Sequence, residues 1–206
     1  MIAFASPARN GTTSTGLGER LTTWPNLVTL VRTVVAVLVG VAAVARADLA
    51  GLGLAYAVYW AGDIADGWLA RRLGQETRAG AVFDIIGDRA CTVLLCAGLV
   101  AARPEAWLVG GVFLISFAVV DTMLSLSFLR WDLLGPNDFH RVDRTVWLLN
   151  WSPPAKVVNT AGVVGLCLLG RYEAALVLAG AVLAVKLWSG RRVARLLPPV
   201  ATATVR

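Results

Sequence analysis

Hydrophobic residues fill long stretches of the chain, and short segments rich in Gly, Pro, Asn and Arg separate these stretches. Most of them approach the roughly 20 residues that an α-helix needs to cross a hydrocarbon core of about 30 Å. The pattern therefore predicts an all-α polytopic membrane fold with six membrane-spanning helices, at 27–45, 49–70, 81–102, 105–129, 157–169 and 172–187.

The boundaries of two predicted spans depend on aromatic and proline residues. Trp24 suits the membrane interface and Pro25 suits the first turn of a helix, so both favour a start of the first span at this point. The fifth span is short unless 145–151 belongs to it, in which case Pro153 and Pro154 break or kink the helix. The sequence leaves both alternatives for the fifth span open.

Polar segments flank the apolar region and define the predicted domains. Residues 1–25 are rich in Ser, Thr and Gly and lack the continuous apolar core of a secretory signal, so we expect a flexible cytoplasmic tail. Residues 26–190 form the predicted six-helix catalytic domain. Residues 191–206 are basic and form a predicted cytoplasmic tail that faces anionic lipid.

The composition excludes several classes of protein. Hydrophobic residues make up 57% of the 206 residues and charged residues only 16%, which is too apolar for an ordinary soluble, disordered or fibrous chain. The three cysteines lie inside apolar stretches and are interpreted as packing residues rather than disulfide or zinc ligands. The net charge of +6 does not indicate nucleic-acid binding, since basic residues lie at the ends of apolar segments and do not cluster on one face.

The distribution of Lys and Arg predicts the orientation in the membrane. The loops on one side contain only Arg46, Arg103 and Arg171. The other side contains thirteen basic residues, namely Arg9, Arg20, Arg71, Arg72, Arg78, Arg130, Arg141, Arg144, Lys156, Arg191, Arg192, Arg195 and Arg206. Because positive residues accumulate in cytoplasmic loops, both termini are predicted to be cytoplasmic.

Four aspartates lie inside the predicted spans, where ionisable groups are costly and therefore mark candidate functional sites. Asp63 and Asp66 are in the cytoplasmic third of span two, and Asp84 and Asp88 are in the cytoplasmic third of span three. Spacings of three and four residues place each pair on one helix face, and a short connection folds the two helices together. We therefore expect the four carboxylates to converge in a polar cavity that faces the cytoplasm.

Four carboxylates at membrane depth require positive charge, because desolvation and mutual repulsion oppose their ionisation. An oxygen-only ligand set favours hard divalent cations, and paired ions commonly bind a phosphate or diphosphate. Gly67, Ala70 and Gly80 keep the same helix faces free of bulky side chains, and Arg71 offers a planar fork to a phosphate. The small residues are also typical of close helix packing in membranes.

Residues 63–89, DIADGWLARRLGQETRAGAVFDIIGDR, resemble the signature of the CDP-alcohol phosphotransferase family, D-x2-D-G-x2-A-R-x8-G-x3-D-x3-D. All eight fixed positions are present at the family spacing. The resemblance implies a membrane enzyme that displaces CMP from a CDP-linked alcohol with the hydroxyl of a second alcohol. It also implies a homodimer.

The resemblance assigns roles to the motif positions. Asp63, Asp66 and Asp84 correspond to ligands of a centre that holds two divalent cations, Mg²⁺ or Mn²⁺. Asp88 corresponds to the last aspartate, which contacts a metal and takes the proton of the attacking hydroxyl. The positions that pack against the CDP moiety are Gly67, Ala70, Arg71 and Gly80.

The leading substrates are CDP-diacylglycerol as the donor and a polar alcohol as the acceptor, with glycerol 3-phosphate as one possibility. Asn26, Thr29 and Arg32 share a helix face and resemble the N-x2-T-x2-R opening of bacterial phosphatidylglycerophosphate-synthase-like members, although Arg32 could equally snorkel to the headgroups. Val120-Asp121 stands where glycerol 3-phosphate synthases of the family carry Arg-Glu, and this difference weakens that acceptor assignment. The candidate acceptor-binding residues are Asn26, Thr29, Arg32, Asp121, Arg130, Lys156 and Asn159.

Two alternatives to this function remain at the sequence level. A family member could use a soluble CDP-alcohol as the donor and a lipid as the acceptor. A small cation transporter or a noncatalytic scaffold would explain aspartates in the membrane but not the spacing of the glycines and Arg71. The predicted location for all of these is the plasma membrane.

Overall fold

The computed structural model describes residues 22–196, which form helices and turns and contain no β-strand. This confirms the all-α fold class. The main helices are α1 (Trp24–Ala45), α2 (Leu49–Leu73), α3 (Arg78–Ala102), α4 (Pro104–Arg130), α5 (Arg144–Asn150), α6 (153–168) and α7 (Tyr172–Leu196). A short 3₁₀-helix, Pro136–Arg141, lies between α4 and α5.

Side-chain caps fix where the first three helices begin. Thr23, Asp48 and Thr77 have extended backbones, and their side chains accept hydrogen bonds from backbone N–H groups of the first turns of α1, α2 and α3. Gly74 ends α2 in a left-handed conformation with a φ of 61°. These signals make the α2–α3 connection short, so the two helices that carry the aspartates fold back on each other.

Helices α1 and α2 pack antiparallel along their lengths. Near the α1–α2 turn, a Cβ placed on Gly51 would lie 2.9 Å from the Ala43 Cβ, which shows how closely the backbones approach. Towards the opposite ends of the two helices, Arg32 of α1 forms an ion pair with Asp66 of α2. Since α3 reverses direction again, it lies parallel to α1, and the three helices form one unit.

Helices α4, α6 and α7 form a second unit that packs on α3. One apolar cluster unites the residues near the α3–α4 and α6–α7 turns, and its buried members are Ala106, Val109, Phe113, Val163, Cys167, Ala175 and Ala179. A second cluster lies at the opposite ends of these helices, and its buried members are Ile85, Leu124, Phe128, Leu133, Phe139, Val146, Trp151 and Val193. The second cluster includes a residue of α3 next to Asp84, so it supports the end of the bundle that carries the aspartates.

The structure resolves the two alternatives for the fifth span. Helix α5 ends at Asn150, and Ser152 then adopts an extended backbone with φ −63° and ψ 151° and caps a new helix that begins at Pro153. Residues 145–150 therefore belong to a separate short helix, Trp151 follows it, and the break falls before the two prolines. Helix α6 is longer than the predicted span 157–169 at its start, and it is π-helical over Val157–Gly162.

Helix α4 confirms a continuous fourth element close to the predicted range 105–129. It is not a uniform α-helix, because Ile115–Asp121 is π-helical and Ser127–Arg130 is a 3₁₀ turn. π-helical turns inside α-helices frequently occur near functional sites. The π-helical turn ends at Asp121, one of the predicted acceptor residues.

Four helices of the described chain are long and apolar enough to cross a membrane, namely α1, α3, α4 and α7. Helix α2 is also 25 residues long but contains Asp63, Asp66, Arg71 and Arg72 and is not among them. The predicted count of six spans and the cytoplasm-facing polar cavity are thus not confirmed and stay predictions.

Parts of the predicted tails lie outside the described residues, namely 1–21 and 197–206, which include Arg9, Arg20 and Arg206. Within the described part, α1 begins at Trp24 rather than at residue 26 or 27. Helix α7 continues to Leu196, beyond the predicted domain boundary at residue 190.

Candidate active site

Arg32 of α1 lies between the four predicted aspartates. Its Nε donates a hydrogen bond to Asp66 Oδ2 over 2.7 Å, and its Nη2 donates to Asp88 Oδ1 over 3.1 Å. Nη2 also donates to Asp84 and lies 3.6 Å from Asp63 Oδ1. One guanidinium thus links all four carboxylates and joins α1 to both acidic helices.

The aspartates differ in exposure. The Asp66 side chain is 7% exposed and also accepts a 2.7 Å hydrogen bond from the Thr29 hydroxyl, so it forms the closed floor of the cluster. The side chains of Asp63 and Asp84 are 32% and 37% exposed. Two of the carboxylates are therefore partly accessible, while Asp66 is closed off.

A close approach of α1 and α2 makes room for Arg32. A Cβ placed on Gly62 would lie 2.5 Å from both Cβ and Cδ of Arg32, so the stem of the arginine occupies the space above this glycine. The Tyr59 ring lies one turn earlier on α2, with its centroid 5.4 Å from the Arg32 guanidinium carbon. The backbone and a buried aromatic ring thus fix the position of the guanidinium.

The carboxylates fit a divalent cation. Oxygens of Asp63, Asp66 and Asp84 lie within 4.8 Å of one another, which is compatible with ligation of one shared ion. The donors are all carboxylate oxygens, the ligand type that Mg²⁺ and Mn²⁺ prefer. Asp88 is outside this closest group but shares Arg32 Nη2 with Asp84. The arrangement can hold cations and bring a carboxylate base next to them.

The predicted CDP-contacting residues fall into two places. Gly67 lies under Arg71, because a Cβ on this glycine would be 3.3 Å from the Arg71 Nη1. Arg71 is exposed and Ala70 is half-buried on the same helix. Gly80 instead faces Asn26, since a Cβ there would lie 2.8 Å from the Asn26 Oδ1. The missing side chain of Gly80 therefore allows α1 to approach α3.

Asn26, Thr29 and Arg32 are buried on one face of α1, as their spacing predicts. This face points at the acidic helices, where Thr29 and Arg32 contact aspartates. The snorkelling alternative for Arg32 is wrong, because its side chain is only 2% exposed and ends in the cluster. Acceptor binding by these three residues stays a prediction.

Asp121 lies in a separate ionic cluster that connects α3, α4 and α7. Its Oδ2 accepts a 2.6 Å hydrogen bond from Arg89 Nη2, and its Oδ1 accepts one from Lys186 Nζ. Arg89 also donates from Nε to the Thr122 hydroxyl over 2.8 Å and lies 3.9 Å from the Phe117 ring centroid. Both oxygens of Asp121 are thus occupied by groups of the protein, and Arg89 follows Asp88 directly in the chain.

The other predicted acceptor residues do not contact the aspartates. Arg130 and Lys156 are exposed and Asn159 is half-buried, and within residues 22–196 their side chains form no hydrogen bond or ion pair. The loop aspartates have separate partners, because Asp132 pairs with Arg78 and Asp143 pairs with Arg192. Acceptor binding by Arg130, Lys156 and Asn159 stays a prediction.

Sequence reasoning missed two cations inside the bundle, the buried Lys186 and the half-buried Arg89. Lys186 is 3% exposed at the end of the last predicted span, and Arg89 directly follows the motif. The signal that finds them is the same one that identified the aspartates, namely a charged residue within an apolar span. When the same rule is applied to cations, it predicts that Arg89 and Lys186 each need an anionic partner inside the bundle.

The apolar helices and the acidic centre define the class of protein: an integral membrane protein with a carboxylate site accessible to a polar ligand. A family model for the CDP-alcohol phosphatidyltransferases matches residues 22–188, and the chain belongs to this family. Neither the curated proteins nor the solved structures yielded a match. Membership identifies the reaction class as phosphatidyl transfer from a CDP-alcohol.

Proposed function

We propose that the protein transfers the phosphatidyl group of CDP-diacylglycerol to the hydroxyl of a polar alcohol and releases CMP. The observation that carries this proposal is the convergence of Asp63, Asp66, Asp84 and Asp88 around one accessible centre in a chain of this family. The donor must present a charged diphosphate to carboxylates, and cations between the two would remove their repulsion. The site is therefore proposed to use two divalent cations, Mg²⁺ or Mn²⁺.

The proposed chemistry follows from the positions of the side chains. When bound, the cations would neutralise the diphosphate and make CMP a better leaving group. Asp63, Asp66 and Asp84 would hold them. The oxygen of the acceptor hydroxyl forms a bond to the phosphorus of the phosphatidyl group while the bond from that phosphorus to CMP breaks. Asp88 takes the hydroxyl proton, and Arg71 at the exposed edge binds a phosphate oxygen.

An apolar cavity supports a lipid donor. It has a volume of about 160 Å³ and is lined by residues of α2, α3, α4 and α6, including Tyr56, Thr92, Cys96, Phe113 and Val163. Thr92 lies one helical turn after Asp88, so the cavity begins close to the acidic centre. An acyl chain can occupy an apolar space in this position while the headgroup stays at the carboxylates.

The acceptor and the cellular setting belong to the same proposal. A polar acceptor such as glycerol 3-phosphate would enter from the cytoplasmic side, with Asn26, Thr29, Arg32, Asp121, Arg130, Lys156 and Asn159 as candidate contacts. The excess of basic residues on the side of the α2–α3 turn supports a cytoplasmic orientation of the site in the plasma membrane. A homodimer is proposed from the family alone.

A defined reconstitution tests the proposal. Purified protein with Mn²⁺ or Mg²⁺ and CDP-diacylglycerol is given a panel of polar alcohols, and CMP release and the mass of the lipid product are measured. We expect metal-dependent CMP release and one acceptor that yields a phosphatidyl product. The alternative, a soluble CDP-alcohol donor with a lipid acceptor, predicts CMP release only when those substrates are supplied, and metal flux without nucleotide binding would indicate a transporter.

Asp88→Asn is the decisive variant because it keeps the shape of the side chain and removes the base. Loss of general-base catalysis is expected to slow CMP release by about 10²–10⁴-fold. Asp48→Asn is the matched control, since asparagine also caps helices and Asp48 lies at the far end of α2. An Asp88→Asn protein that releases CMP as fast as the parent would refute the role of Asp88.

A further inference from the structure

We propose that Arg32 is a resident counter-cation of the acidic centre, which shares the four carboxylates with divalent cations and competes with them. The inference rests on the metal site of the proposed function and adds a regulator of that site. It predicts that in the metal-free protein the guanidinium stabilises the contact between α1, α2 and α3. When metal is bound, the guanidinium should contribute less to the stability of the fold.

The first observation is that Arg32 is built into the centre rather than lying near it. Three of its contacts are hydrogen bonds to different aspartates, and the fourth aspartate lies 3.6 Å away. A 2% exposed arginine cannot move to solvent without opening the helix contact. The space above Gly62 and the ring of Tyr59 match its stem and its guanidinium.

The second observation is the balance of charge. Four carboxylates surround a single guanidinium, so the cluster has a formal charge of −3 when all of its members are ionised. Among the described residues, no other Lys or Arg forms an ion pair with these four aspartates. Uncompensated buried charge is destabilising, so both the guanidinium and a divalent ion lower the free energy of the same carboxylates.

The third observation is the position of the contacts. The Nη2 atom lies next to oxygens of Asp63, Asp84 and Asp88, and two of these residues belong to the group that can ligate an ion. A cation at this group is repelled by the guanidinium and uses the same lone pairs. Removal of the positive charge should therefore strengthen metal binding while it weakens the metal-free fold, because ligands and protein charges are linked through common carboxylates.

The test compares thermal unfolding of the parent, Arg32→Gln and Arg32→Lys in EDTA and in saturating Mn²⁺. In EDTA, Arg32→Gln is expected to lower Tm by on the order of 10 °C. In Mn²⁺ this loss should fall to less than half. Lys186→Met is the matched control: it removes a buried cation whose ion pair is with Asp121, and its Tm loss should be the same in both conditions.

Mn²⁺ affinity, measured from the EPR signal of the free ion, gives a second readout. Arg32→Gln should bind Mn²⁺ about tenfold or more tightly than the parent, and Arg32→Lys, which retains the charge but not the fork, should bind with an affinity between the two. If Arg32→Gln does not fold, Arg32→Lys still tests the inference. Lysine lacks the fork that reaches several carboxylates, so its Tm loss should also shrink in Mn²⁺.

Two results distinguish failure of this inference from failure of the proposed function. If Mn²⁺ stabilises the parent but the variants lose the same Tm in EDTA and in Mn²⁺, or if Arg32→Gln binds Mn²⁺ more weakly, Arg32 is not a competing counter-cation and the metal site stands. If Mn²⁺ neither binds nor stabilises the parent, the inference and the proposed metal site are both wrong. CMP release from CDP-diacylglycerol tests the transferase independently.

Discussion

At the scale of single residues, Gly62 has a role that no feature of its own suggests. It is neither a turn residue nor part of the aspartate motif, yet the Arg32 side chain crosses directly over it. Gly180, in α7, has open space where its Cβ would be and does not line the apolar cavity. The two glycines therefore provide a matched pair in which only one substitution displaces the arginine.

Gly62→Ala is expected to lower both Tm and the rate of CMP release, because the new methyl group would lie 2.5 Å from two carbons of the Arg32 stem. Overpacking of this kind costs about 1–3 kcal/mol. Gly180→Ala should leave activity unchanged and raise stability by about 0.5–1 kcal/mol through helix propensity. The measurements are thermal unfolding and CMP release. Equal effects of the two substitutions would contradict the assigned role of Gly62.

The sequence predicts the positions of the acidic residues better than it predicts their partners. Asp63, Asp66, Asp84 and Asp88 are recognisable because intervals of three and four residues are helical intervals. The approach of Arg32 depends on the axial register of α1 against α2, which the periodicity of either helix alone does not determine. For this reason the spacing placed Arg32 on the correct face of α1 but not at the centre of the cluster.

At the scale of helical elements, Asp143 combines two tasks. Its Oδ1 accepts a 3.0 Å hydrogen bond from the Val146 N–H and caps α5, and its Oδ2 accepts a 2.5 Å hydrogen bond from Arg192 Nε of α7. Burial alone would raise the pKa of the Asp143 carboxyl, but the hydrogen bonds from Val146 and Arg192 outweigh it and lower the pKa below its usual value. The ionised carboxylate therefore stabilises the junction of α5 with α7.

The lowered pKa of Asp143 predicts a dependence of stability on pH. A carboxyl whose pKa is lower in the folded state contributes stability that is fully present above its unfolded-state pKa of 3.8 and is lost as the pH falls through the folded-state pKa. Asp143→Asn keeps a capping side chain but not the charge, so its Tm deficit at pH 7 should disappear in acid. Asp143→Ala also loses the cap, which costs about 1 kcal/mol at either pH. A Tm deficit of Asp143→Asn that is constant with pH would contradict this account.

Several helix ends in this chain have a local signal, whereas the irregular helix interiors do not. Asp48 and Ser152 cap helices and Gly74 ends α2, and these residue types are typical of such positions. The π-helical turns at Ile115–Asp121 and Val157–Gly162 have no comparable local signal. They depend on packing between helices, so periodicity alone cannot predict them.

At the scale of the whole molecule, the position of α2 in the membrane determines the depth of the acidic centre. Its composition does not identify it as a span, because the polar residues of the site lower its apolarity. Its packing nevertheless indicates that it spans the membrane. Helix α2 contacts α1 at Gly51 with Ala43 and again at Asp66 with Arg32, and Arg32 lies about three helical turns before Ala43 in α1. If α1 crosses the bilayer, α2 must lie in the same thickness of hydrocarbon.

We therefore predict that the loops at the two ends of α2 are on opposite sides of the membrane. Single cysteines at the exposed residues Arg46 and Glu76 are treated with a membrane-impermeant thiol reagent in sealed vesicles of known orientation. The Glu76→Cys protein should react only from the cytoplasmic side and the Arg46→Cys protein only from the other side. The parent, whose three free cysteines are buried or half-buried, gives the background.

Reaction of both variants from one side would show that α2 does not cross, and the aspartates would then lie at the interface. In that case the distribution of Lys and Arg among the loops would no longer place the site on the cytoplasmic side, because the loops alternate between the two sides only if each long helix crosses the bilayer once.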